Sequence, residues 1–489
     1  MRFSEITEMA ELLQGKPPSV VFSGVQCDSR RVRPGDVFAA VKGVKEDGAN
    51  YAEAAIAKGA AAVLSETPLH DGVKPVVLVK DARRALAVLA AAVNGWPSCS
   101  MKVYGITGTN GKTTTSWLLR EMLRAGGSNP GLLTTVQVEY GDRAIPAART
   151  TPDACELHAL LAAMRGGGCD SAVMEVSSHA LDQQRVAAVR FAGAVFTNLS
   201  QDHLDYHGTM DAYFDAKKLM FTRLAHDSPD TPAVCCIEEG KGYGRRMAEM
   251  VAGLPLKLVT CGLTNDADIR AEEVALTTGG ARFVLVLPDG RRLPLNVRLA
   301  GRYNVANMLC AAAMAFEAGV PLEAVVNVLE SAAPRWGRLE RVPAKTPAAV
   351  FVDYAHTDDA LTNVLGTLRE MTPGRLVVVF GCGGNRDRGK RPKMGAVCAK
   401  LADHIIITSD NPRREDPLDI IRDIMAGVPE GAECSVEPDR RAAIRQALRA
   451  AGANDVVLVA GKGHEPFQEL ADRTVPFDDR SVVMEEAGE

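Results

Sequence analysis

The sequence predicts an α/β protein of three domains, and three observations lead to this prediction. The chain has 489 residues, which is too many for one ordinary hydrophobic core. Apolar segments of strand length alternate with helix-length segments, as in mostly parallel sheets that are covered by helices on both faces. Polar clusters directly follow several of the apolar segments, as they do at the ligand sites of doubly wound sheets.

The first predicted domain, residues 1–97, is a small α/β unit. Apolar patterning predicts a turn and a buried strand within residues 28–41, a helix over residues 52–58 and a second strand over residues 61–64. Residues 94–98 (NGWPS) combine Gly with Pro and are predicted to link this unit to the next.

The second predicted domain, residues 98–335, is a doubly wound sheet with an appended β segment. Apolar patterning predicts strands over residues 101–104, 172–174 and 192–196 and a helix over residues 116–123. Residues 256–299 instead alternate apolar with polar side chains around a Pro-Asp-Gly turn. This pattern predicts hairpin strands added to the α/β core.

The third predicted domain, residues 336–489, is a second doubly wound, Rossmann-like unit. Its apolar runs predict strands over residues 348–352, 376–380, 404–408 and 456–459.

Composition and charge narrow the class of protein. The net charge of -5 gives no sign imbalance that would favour a nucleic-acid or membrane partner. Eleven cysteines are scattered without Cys-x-x-Cys spacing, so we expect neither a disulfide framework nor a zinc site. The first residues lack a signal peptide pattern, and no run reaches 18 apolar residues. We therefore expect a cytoplasmic protein without membrane insertion, and a monomer.

The most informative segment is residues 105–114 (GITGTNGKTT), which lies between a predicted strand and a predicted helix. Backbone N–H groups of such a turn and the helix N-terminus attract phosphate, Lys112 adds a full charge, and the Thr113 hydroxyl can bind Mg²⁺. The segment therefore predicts a P-loop-type ATPase site. Its residues are Gly108, Thr109, Asn110, Gly111, Lys112, Thr113 and Thr114.

The phosphate-loop pattern is not matched in every position. Five residues separate Gly105 from Gly111, where the strict pattern has four. The alternative interpretation is a glycine-rich turn with an incidental Lys-Thr pair. The strand before the turn and the helix after it favour the phosphate site.

Five predicted strands end directly in polar clusters. The clusters are residues 175–179, 197–203, 381–387, 409–413 and 461–465. Any one of them reads equally well as an ordinary polar loop. Five at equivalent positions on two sheets favour ligand sites at the carboxyl edges of both sheets.

The motifs together resemble those of the Mur ligases, the ATP-dependent amino-acid ligases of peptidoglycan precursor synthesis. The residues that carry the resemblance are the glycine-rich loop and residues 175–179 (EVSSH), 198–205 (NLSQDHLD), 301–307 (GRYNVAN) and 353–356 (DYAH). The resemblance covers essentially the whole chain. Within the family, residues 28–30 (DSR) and 410–413 (DNPR) resemble members that add meso-diaminopimelate to UDP-N-acetylmuramoyl-L-alanyl-D-glutamate.

The resemblance implies that Lys112, Glu175, His203 and Lys217 are catalytic. Thr113 and Glu175 are implied to hold one Mg²⁺, and Glu175, His203 and a carbamylated Lys217 a second. From the residues alone, Lys217 lies on a predicted amphipathic helix, and the simpler interpretation is a solvated lysine.

The resemblance also implies three sets of binding residues. ATP would contact Asn304, Arg338 and Asp353 besides the loop; a helix cap is the alternative role for Asn304. The UDP-sugar peptide would contact Cys27, Ser29, Val44, Lys45, Glu46, Thr150, Thr151, Ser177, Gln183 and Arg185. Diaminopimelate would contact Arg386, Asp410, Asn411, Pro412, Arg413, Gly461 and Glu465.

Arg413 is the residue from which we predict the choice of amino acid. A guanidinium can bind the distal carboxylate of diaminopimelate in a bidentate manner. Lysine would leave this cation unpaired, so discrimination on the order of 10⁴ is expected.

Three alternative functions remain at this point. Two are related ligases, folylpolyglutamate synthase and the lysine-adding enzyme, and the first domain and Arg413 argue against both. The third is a non-catalytic ATP-binding protein on the same fold. The presence of Lys112, Glu175, His203 and Lys217 argues against it.

Overall fold

A computed structural model describes residues 1–43, 46–73, 75–237 and 242–488 of the chain. The chain divides into two compact units, each with its own buried core. The first unit contains Met1–Cys261 and Cys310–Val325, and the second contains Gly262–Leu309 and Val326–Glu489.

The first unit begins with a parallel sheet in the order β1-β2-β3-β4. Its strands are β1 (Gly24–Gln26), β2 (Asp36–Ala39), β3 (Ala62–Ser65) and β4 (Val76–Leu78). Its helices are α1 (Ala52–Ala57), α2 (Ala82–Val93) and α3 (Pro97–Ser100), with 3₁₀ turns at Phe3–Glu5, Thr7–Met9 and Gly48–Tyr51. The predicted strands and the predicted helix are confirmed. The predicted linker is only partly right, because Pro97 suits the first turn of a helix and begins α3.

A larger sheet follows, in the order β12-β11-β10-β5-β9-β6-β7-β8. Its strands are β5 (Lys102–Thr107), β6 (Pro130–Leu133), β7 (Gln137–Tyr140), β8 (Arg143–Pro146), β9 (Ser171–Glu175), β10 (Phe191–Phe196), β11 (Pro232–Cys236) and β12 (Lys257–Gly262). The strands from β12 to β6 pair in parallel, and β7 and β8 add an antiparallel margin. The carboxyl ends of β5, β9 and β10 therefore lie at one edge.

Helices connect these strands, as the apolar patterning predicts. They are α4 (Lys112–Ala125), α5 (Ala154–Gly166), α6 (Ser178–Asp182), α7 (Leu204–His207), α8 (Met210–Asp227) and α9 (Tyr243–Ala252). A side chain at Gly105 in β5 would come within 2.8 Å of the Phe191 ring. Close packing in the middle of this sheet therefore requires glycine at that position.

The second unit begins with an antiparallel meander. Its strands are β13 (Ile269–Thr277), β14 (Gly280–Val286) and β15 (Arg292–Val297), and the helices α10 (Arg302–Glu317) and α11 (Leu322–Ser331) follow in the sequence. The predicted hairpin is correct here, with Gly290 in the turn at φ 84°. The prediction was wrong for β12, which pairs in parallel with β11, because period-2 patterning does not specify the partner strand.

The rest of the second unit is a doubly wound sheet in the order β16-β17-β21-β18-β19-β20. Its strands are β16 (Glu340–Val342), β17 (Ala349–Asp353), β18 (Leu376–Phe380), β19 (His404–Ile407), β20 (Cys434–Val436) and β21 (Val456–Ala460), and a hairpin adds β22 (Phe467–Glu469) and β23 (Thr474–Pro476). All neighbours in the sheet are parallel except β16 and β17. The four strands predicted here are confirmed.

Helices cover both faces of this sheet. They are α12 (Asp358–Met371), α13 (Lys390–Leu401), α14 (Pro417–Met425), α15 (Arg440–Ala450) and α16 (Asp479–Glu486). One apolar core lies against α12, α13 and α14, and the other lies against α15 and α16. Within the described residues, none of the helices is both long and apolar enough to cross a bilayer.

Candidate active site

The glycine-rich loop joins β5 to α4 and is fixed by the end of β10. The Asn198 carbonyl accepts from the Thr109 N–H at 2.9 Å, and the Asn198 side chain accepts from the Asn110 N–H at 3.0 Å. Gly108 has φ 150°, and a side chain there would run into the Thr197 hydroxyl. Gly111, at φ 86°, is the N-cap residue that precedes α4. The loop thus has the strand–turn–helix geometry that the sequence predicts.

Two lysine side chains converge on this loop. The Lys112 amine donates to the carbonyls of Gly108 and Thr109 at 3.0 and 2.8 Å, and the Lys217 amine donates to Gly108 at 2.8 Å. Lys217 is only 1 % exposed, and its amine lies 4.6 Å from the centre of the Tyr213 ring. Burial, together with the Lys112 ammonium, lowers the pKa of Lys217 well below its ordinary value. The simpler interpretation of a solvated lysine was wrong.

A buried carboxylate lies beside the first turn of α4. Glu175, at the end of β9, accepts from the Thr113 hydroxyl at 2.8 Å and from the Thr135 N–H and hydroxyl at 2.9 and 3.1 Å. Glu175 is 1 % exposed. Oxygen atoms of a carboxylate and two hydroxyls are the donors that Mg²⁺ prefers, so these residues fit the ion that the sequence implies.

His203 lies at the same sheet edge, just after β10. Its backbone is left-handed at φ 54°, and its side chain is 45 % exposed beside Asp202. Burial lowers the pKa of His203, so its ring stays neutral and able to ligate at neutral pH. The ring centre lies 4.8 Å from that of His179 and 6.0 Å from that of Tyr213.

Polar residues from the segment before α5 and from the segment after β9 form one network with Glu175. The Thr151 hydroxyl donates to the Glu175 carbonyl at 3.0 Å and accepts from the Ser177 N–H at 3.0 Å. Arg185 donates to the Thr151 carbonyl at 2.8 Å and to the Gln183 side chain at 2.7 Å. Thr150 joins the same network, because its hydroxyl accepts from Thr135 at 3.0 Å.

The N-terminal residues implied in substrate binding are only partly brought to this network. Cys27 follows β1 and lies beside the first turn of α5, where its sulfur is within 4.8 Å of the Cys155 sulfur and an Asp153 carboxylate oxygen. The hydrogen bond with the Cys155 thiol lowers the pKa of Cys27. Within the described ranges, no hydrogen bond joins Ser29 or Glu46 to Thr150 or Thr151, and Glu46 accepts from the Tyr51 hydroxyl. Val44 and Lys45 lie outside the described residues.

In the second unit, Arg338 and Asp353 lie together. The Asp353 carboxylate accepts from the N–H groups of Leu339 and Ala355 at 2.5 and 2.7 Å. Burial raises the pKa of Asp353, and Arg338 opposes this shift. The Arg338 guanidinium stacks 4.7 Å from the Tyr354 ring centre, and its buried Nε has no hydrogen-bond partner in the part of the chain that the structure describes. This unpaired donor suits an anionic ligand.

Asn304 lies within the first turn of α10. Its amide donates to the Ala300 carbonyl at 2.7 Å and accepts from Asn307 at 3.3 Å. Both asparagines are buried. The N-cap role considered from the sequence was wrong, because α10 begins at Arg302, before Asn304.

Arg413 follows β19 and is partly buried. The guanidinium donates to the Gly384 carbonyl at 3.0 Å, and its Nε lies 2.5 Å from a Glu469 carboxylate oxygen. The side chain is 25 % exposed, and the backbone is left-handed at φ 53°. Arg413 and the exposed Arg386 both pass Gly383, where a Cβ would lie 2.9 Å from Arg413 Nη1 and 3.6 Å from Arg386 Cγ. The loops after β18 and β19 therefore bring the Arg413 guanidinium and the stem of Arg386 to the same glycine.

The other predicted amino-acid contacts surround a fully buried lysine. Lys462 donates to the Asn411 side chain at 3.1 Å and lies 3.5 Å from Glu465 and 4.0 Å from Asp410. Burial raises the pKa of Glu465. Gly461 has φ 116°, and a Cβ there would lie 2.5 Å from the Asp410 carboxylate. Pro412 is buried between Asn411 and Arg413.

A buried ion pair supports these loops from beneath. Arg440 pairs with Asp479 at 2.7 Å, and both side chains are 0 % exposed. The same guanidinium donates to the carbonyls of Ala460 and Ser409 at 3.0 and 3.4 Å. The ends of β21 and β19 are thus held by α15 and α16.

Sequence reasoning missed several residues of both regions. They are Thr135, His179, His207, Lys462 and Glu469. His179 and Lys462 stand inside polar clusters that follow predicted strands, and this position was a usable signal. Glu469 lies on the short strand β22, where the sequence carries no comparable signal.

Comparisons with known proteins agree with this architecture. Three family models match: the Mur ligase family catalytic domain over residues 21–94, the Mur ligase middle domain over residues 106–315 and the Mur ligase glutamate ligase domain over residues 337–463. Together they span most of the chain.

Several curated relatives bear the name UDP-N-acetylmuramoyl-L-alanyl-D-glutamate--2,6-diaminopimelate ligase. The protein from Bacillus velezensis is 42% identical over 97% of this chain and 96% of its own length. The protein from Geobacillus kaustophilus is 43% identical over 96% of this chain and 95% of its own, and that from Listeria monocytogenes is 40% identical over 98% and 97%.

Solved structures show the same fold. A structure named for the same ligase is 33% identical and covers 100% of this chain and 99% of its own, with a TM-score of 0.72. The MurF ligase from Thermotoga maritima in complex with ADP is 18% identical, covers 95% of each chain and has a TM-score of 0.62. The chain therefore belongs to the Mur ligase family.

Proposed function

We propose that this protein is an ATP-dependent ligase that adds meso-2,6-diaminopimelate to UDP-N-acetylmuramoyl-L-alanyl-D-glutamate in peptidoglycan precursor synthesis. The observation that carries the proposal is the identity of 40 to 43% to ligases of that name over nearly the full length of both chains. The lysines at the glycine-rich loop and the guanidinium groups beyond the second sheet support it.

The reaction forms an amide in two steps. A substrate carboxylate attacks the γ-phosphorus of ATP, ADP leaves, and an acyl phosphate forms. The amine of diaminopimelate then attacks the acyl carbon, and phosphate leaves with the electron pair of the broken C–O bond. Such phosphoryl transfer depends on positioning and charge neutralisation rather than covalent help from the protein.

The first unit supplies the catalytic groups. Gly108, Thr109, Asn110, Gly111, Lys112, Thr113 and Thr114 form the ATP phosphate site. Lys112 and the backbone donors of Gly108, Gly111, Thr113 and Thr114 bind the phosphates, whereas the N–H groups of Thr109 and Asn110 fix the loop to Asn198. Lys112 then gives up its contacts with the Gly108 and Thr109 carbonyls in favour of a phosphate oxygen. Both hydrogen bonds lie within the loop and are partly exposed to solvent, so replacing them with a bond to phosphate costs little free energy.

Thr113 and Glu175 would hold one Mg²⁺, and Glu175, His203 and a carbamylated Lys217 would hold a second. Bound Mg²⁺ neutralises the phosphate charge that develops during transfer. Burial lowers the pKa of Lys217 and so favours the neutral amine that attack on CO₂ requires. Attack forms the N–C bond to CO₂, the nitrogen releases one proton, and a carbamate anion replaces the neutral amine.

The resemblance assigns the UDP-sugar peptide and ATP to separate sets of residues. Thr150, Thr151, Ser177, Gln183 and Arg185 bind the muramoyl-peptide portion, and Cys27, Ser29, Val44, Lys45 and Glu46 the uridine portion. Asn304, Arg338 and Asp353 contact ATP. We accordingly assign substrate binding to three domains, residues 1–97, 98–335 and 336–489.

Amino-acid choice depends on Arg413 and its neighbours. Arg413 binds the distal carboxylate of diaminopimelate, whereas Arg386, Asp410, Asn411, Gly461 and Glu465 hold the other end. Glu469 already pairs with Arg413, so the substrate carboxylate must displace it. Lysine would therefore not leave Arg413 unpaired, and discrimination falls below the factor of about 10⁴ expected from the sequence.

The remaining assignments follow from the substrates. ATP and the UDP-linked precursor are cytoplasmic compounds, and none of the eleven cysteines, all of which lie within the described residues, forms a disulfide. We place the protein in the cytoplasm as a monomer that acts on small molecules, with neither a nucleic-acid partner nor membrane insertion.

A phosphate-release assay tests the proposed function. With Mg-ATP, the UDP-linked dipeptide and meso-diaminopimelate together, we expect stoichiometric ADP, phosphate and tripeptide product by mass spectrometry. Omission of either co-substrate is the control and should abolish product. Equal turnover with L-lysine would contradict the specificity, and no product with any amino acid would contradict the ligase assignment.

A further inference from the structure

Two cysteines and a carboxylate meet beside the first turn of α5, in the first unit. Cys27 follows β1, whereas Asp153 and Cys155 begin α5. The two sulfur atoms and a carboxylate oxygen lie within 4.8 Å of one another. All three side chains are partly exposed, so an ion in solvent can reach them.

The geometry and chemistry of this group suit a thiophilic divalent cation. Tetrahedral zinc has Zn–S distances of about 2.3 Å and Zn–O distances of about 2.1 Å, which place the ligand atoms about 3.5 to 3.8 Å apart. Ligand atoms already within 4.8 Å reach that spacing by small rotations of their side chains. Two sulfur ligands disfavour Mg²⁺ and favour zinc.

The surroundings leave the necessary atoms accessible. Asp153 caps α5 through one oxygen, which accepts from the Glu156 N–H at 3.1 Å. Its second oxygen is not used in this cap. Asp28, next to Cys27, pairs with Arg30 at 2.9 Å, so its carboxylate is already engaged and is not a ligand of this group.

We propose that Cys27, Asp153 and Cys155 form a zinc-binding site with water as the fourth ligand, and that zinc bound there inhibits the enzyme. The ion ties the chain after β1 to the start of α5. Ser29 lies two residues beyond Cys27, and Thr151 lies two residues before Asp153. The inhibitory part rests on the proposed function, because it assumes that these residues bind the UDP-sugar peptide.

The chain contains a second sulfur cluster that serves as an internal comparison. Cys236, Cys261 and Cys310 also lie within 4.8 Å of one another, with the last two sulfurs 3.6 Å apart. All three are buried, and this group has no carboxylate. Burial keeps such thiols protonated and closed to ions, so this cluster packs as small apolar side chains.

Titration of the reduced full-length protein with CdCl₂ tests the site without reference to activity. We expect an ultraviolet sulfur-to-cadmium charge-transfer band whose absorbance saturates at one equivalent of Cd²⁺. ZnCl₂ should reduce this band by competition, and C27S and C155S should each lack it. D153N should shift the titration midpoint to higher Cd²⁺ concentration, because asparagine keeps the helix cap but removes a charged ligand. C99S, at an exposed cysteine, and C261S are matched controls that keep the band. A band that survives in both C27S and C155S, or disappears in C261S, overturns the proposal.

Inhibition is measured in the ligase assay at saturating Mg²⁺. ZnCl₂ should raise the KM for the UDP-linked dipeptide several-fold in the wild type, and C155S should show no zinc effect relative to its own zinc-free rate. Zinc inhibition that is equal in the wild type and C155S overturns the inhibitory role. A protein that binds cadmium as predicted but never forms tripeptide would contradict the proposed function and leave the metal site standing.

Discussion

At the scale of single residues, Lys217 carries the sharpest expectation for catalysis. Replacement by Ala removes the group that becomes the carbamate, and we expect a loss of kcat of about 10² to 10³-fold. Added formate or acetate should restore part of the activity, because a small carboxylate can enter the vacated space. Steady-state rates with and without these acids measure the effect.

Lys218 provides the matched control for this experiment. It is the next residue on α8 and pairs with Asp215 at 2.9 Å on the surface. K218A should keep its activity and should not respond to carboxylic acids. If K217A folds normally and shows no restoration, the carbamate assignment fails.

His158 predicts how stability depends on pH. It is fully buried in α5, and its ring nitrogens have no hydrogen-bond partner among the residues that the structure covers. Burial lowers the pKa of His158 to about 4. Between that value and its ordinary pKa of about 6.5, the unfolded state binds more protons, so stability falls as the pH falls.

The contribution of His158 can be isolated by substitution. Lowering the pH from 8 to 5.5 should cost the wild type about 1.4 kcal/mol through this one residue. H158L removes the titrating ring and should lack that component of the change in urea unfolding free energy. Equal pH dependence in both proteins would contradict this account.

At the scale of elements, the loop after β19 and the strand β22 determine how Arg413 is used. R413A should lower kcat/KM for meso-diaminopimelate on the order of 10²-fold, because a charged pair with the substrate is lost. E469Q should instead lower the KM for meso-diaminopimelate, because it removes the carboxylate that competes with the substrate for Arg413. Initial rates over a range of diaminopimelate concentrations measure both effects.

Arg414 is the control for this pair of variants. It is exposed and adjacent to Arg413, so R414A changes the same net charge without touching the proposed contact. Its KM should equal that of the wild type. A higher KM in E469Q would show instead that Glu469 orients Arg413 for the substrate.

The elements themselves were largely predictable from the sequence. The predicted strand over residues 101–104 overlaps β5. The predicted helix over residues 52–58 begins where α1 begins and ends one residue after it. Errors occur where the neighbouring strand determines whether a strand pairs in parallel or antiparallel. Alternating side chains in β12 are compatible with either strand direction, and only the adjacent β11 makes it parallel.

The candidate site was predictable where a motif sits at a strand end and unpredictable where distant residues meet. The burial of Lys217 depends on contact with Gly108, far away in the sequence. Cys27 and Cys155 have no sequence spacing that indicates a shared ligand, so the expectation of no zinc site rested on local patterns alone. Tertiary contacts of this kind are invisible to periodicity.

At the scale of the whole molecule, nucleotide binding should stabilise the chain only when Mg²⁺ is present. A nucleotide at 100 times its Kd stabilises the protein that binds it by about 2.7 kcal/mol. We expect ADP with Mg²⁺ to raise the melting temperature, and excess EDTA to abolish both the shift and ligase turnover. Differential scanning fluorimetry measures the shift.

Removal of the loop lysine controls for unspecific effects of the metal. K112A lacks the charge that contacts phosphate and should show little shift at the same ADP concentration. MgCl₂ added after EDTA should restore both the shift and turnover in the wild type. An equal thermal shift with and without EDTA would contradict a metal-dependent nucleotide site.

The ion pair between Arg440 and Asp479 makes α16 part of the support for the loops that we propose to bind diaminopimelate. Asp479 is the first residue of α16, and its partner also holds the carbonyls at the ends of β19 and β21. Proteolytic cleavage before this helix would leave the Arg440 guanidinium buried without its carboxylate partner and would lower the free energy of unfolding by about 3 to 5 kcal/mol. Truncated variants and fusions should therefore keep α16 intact.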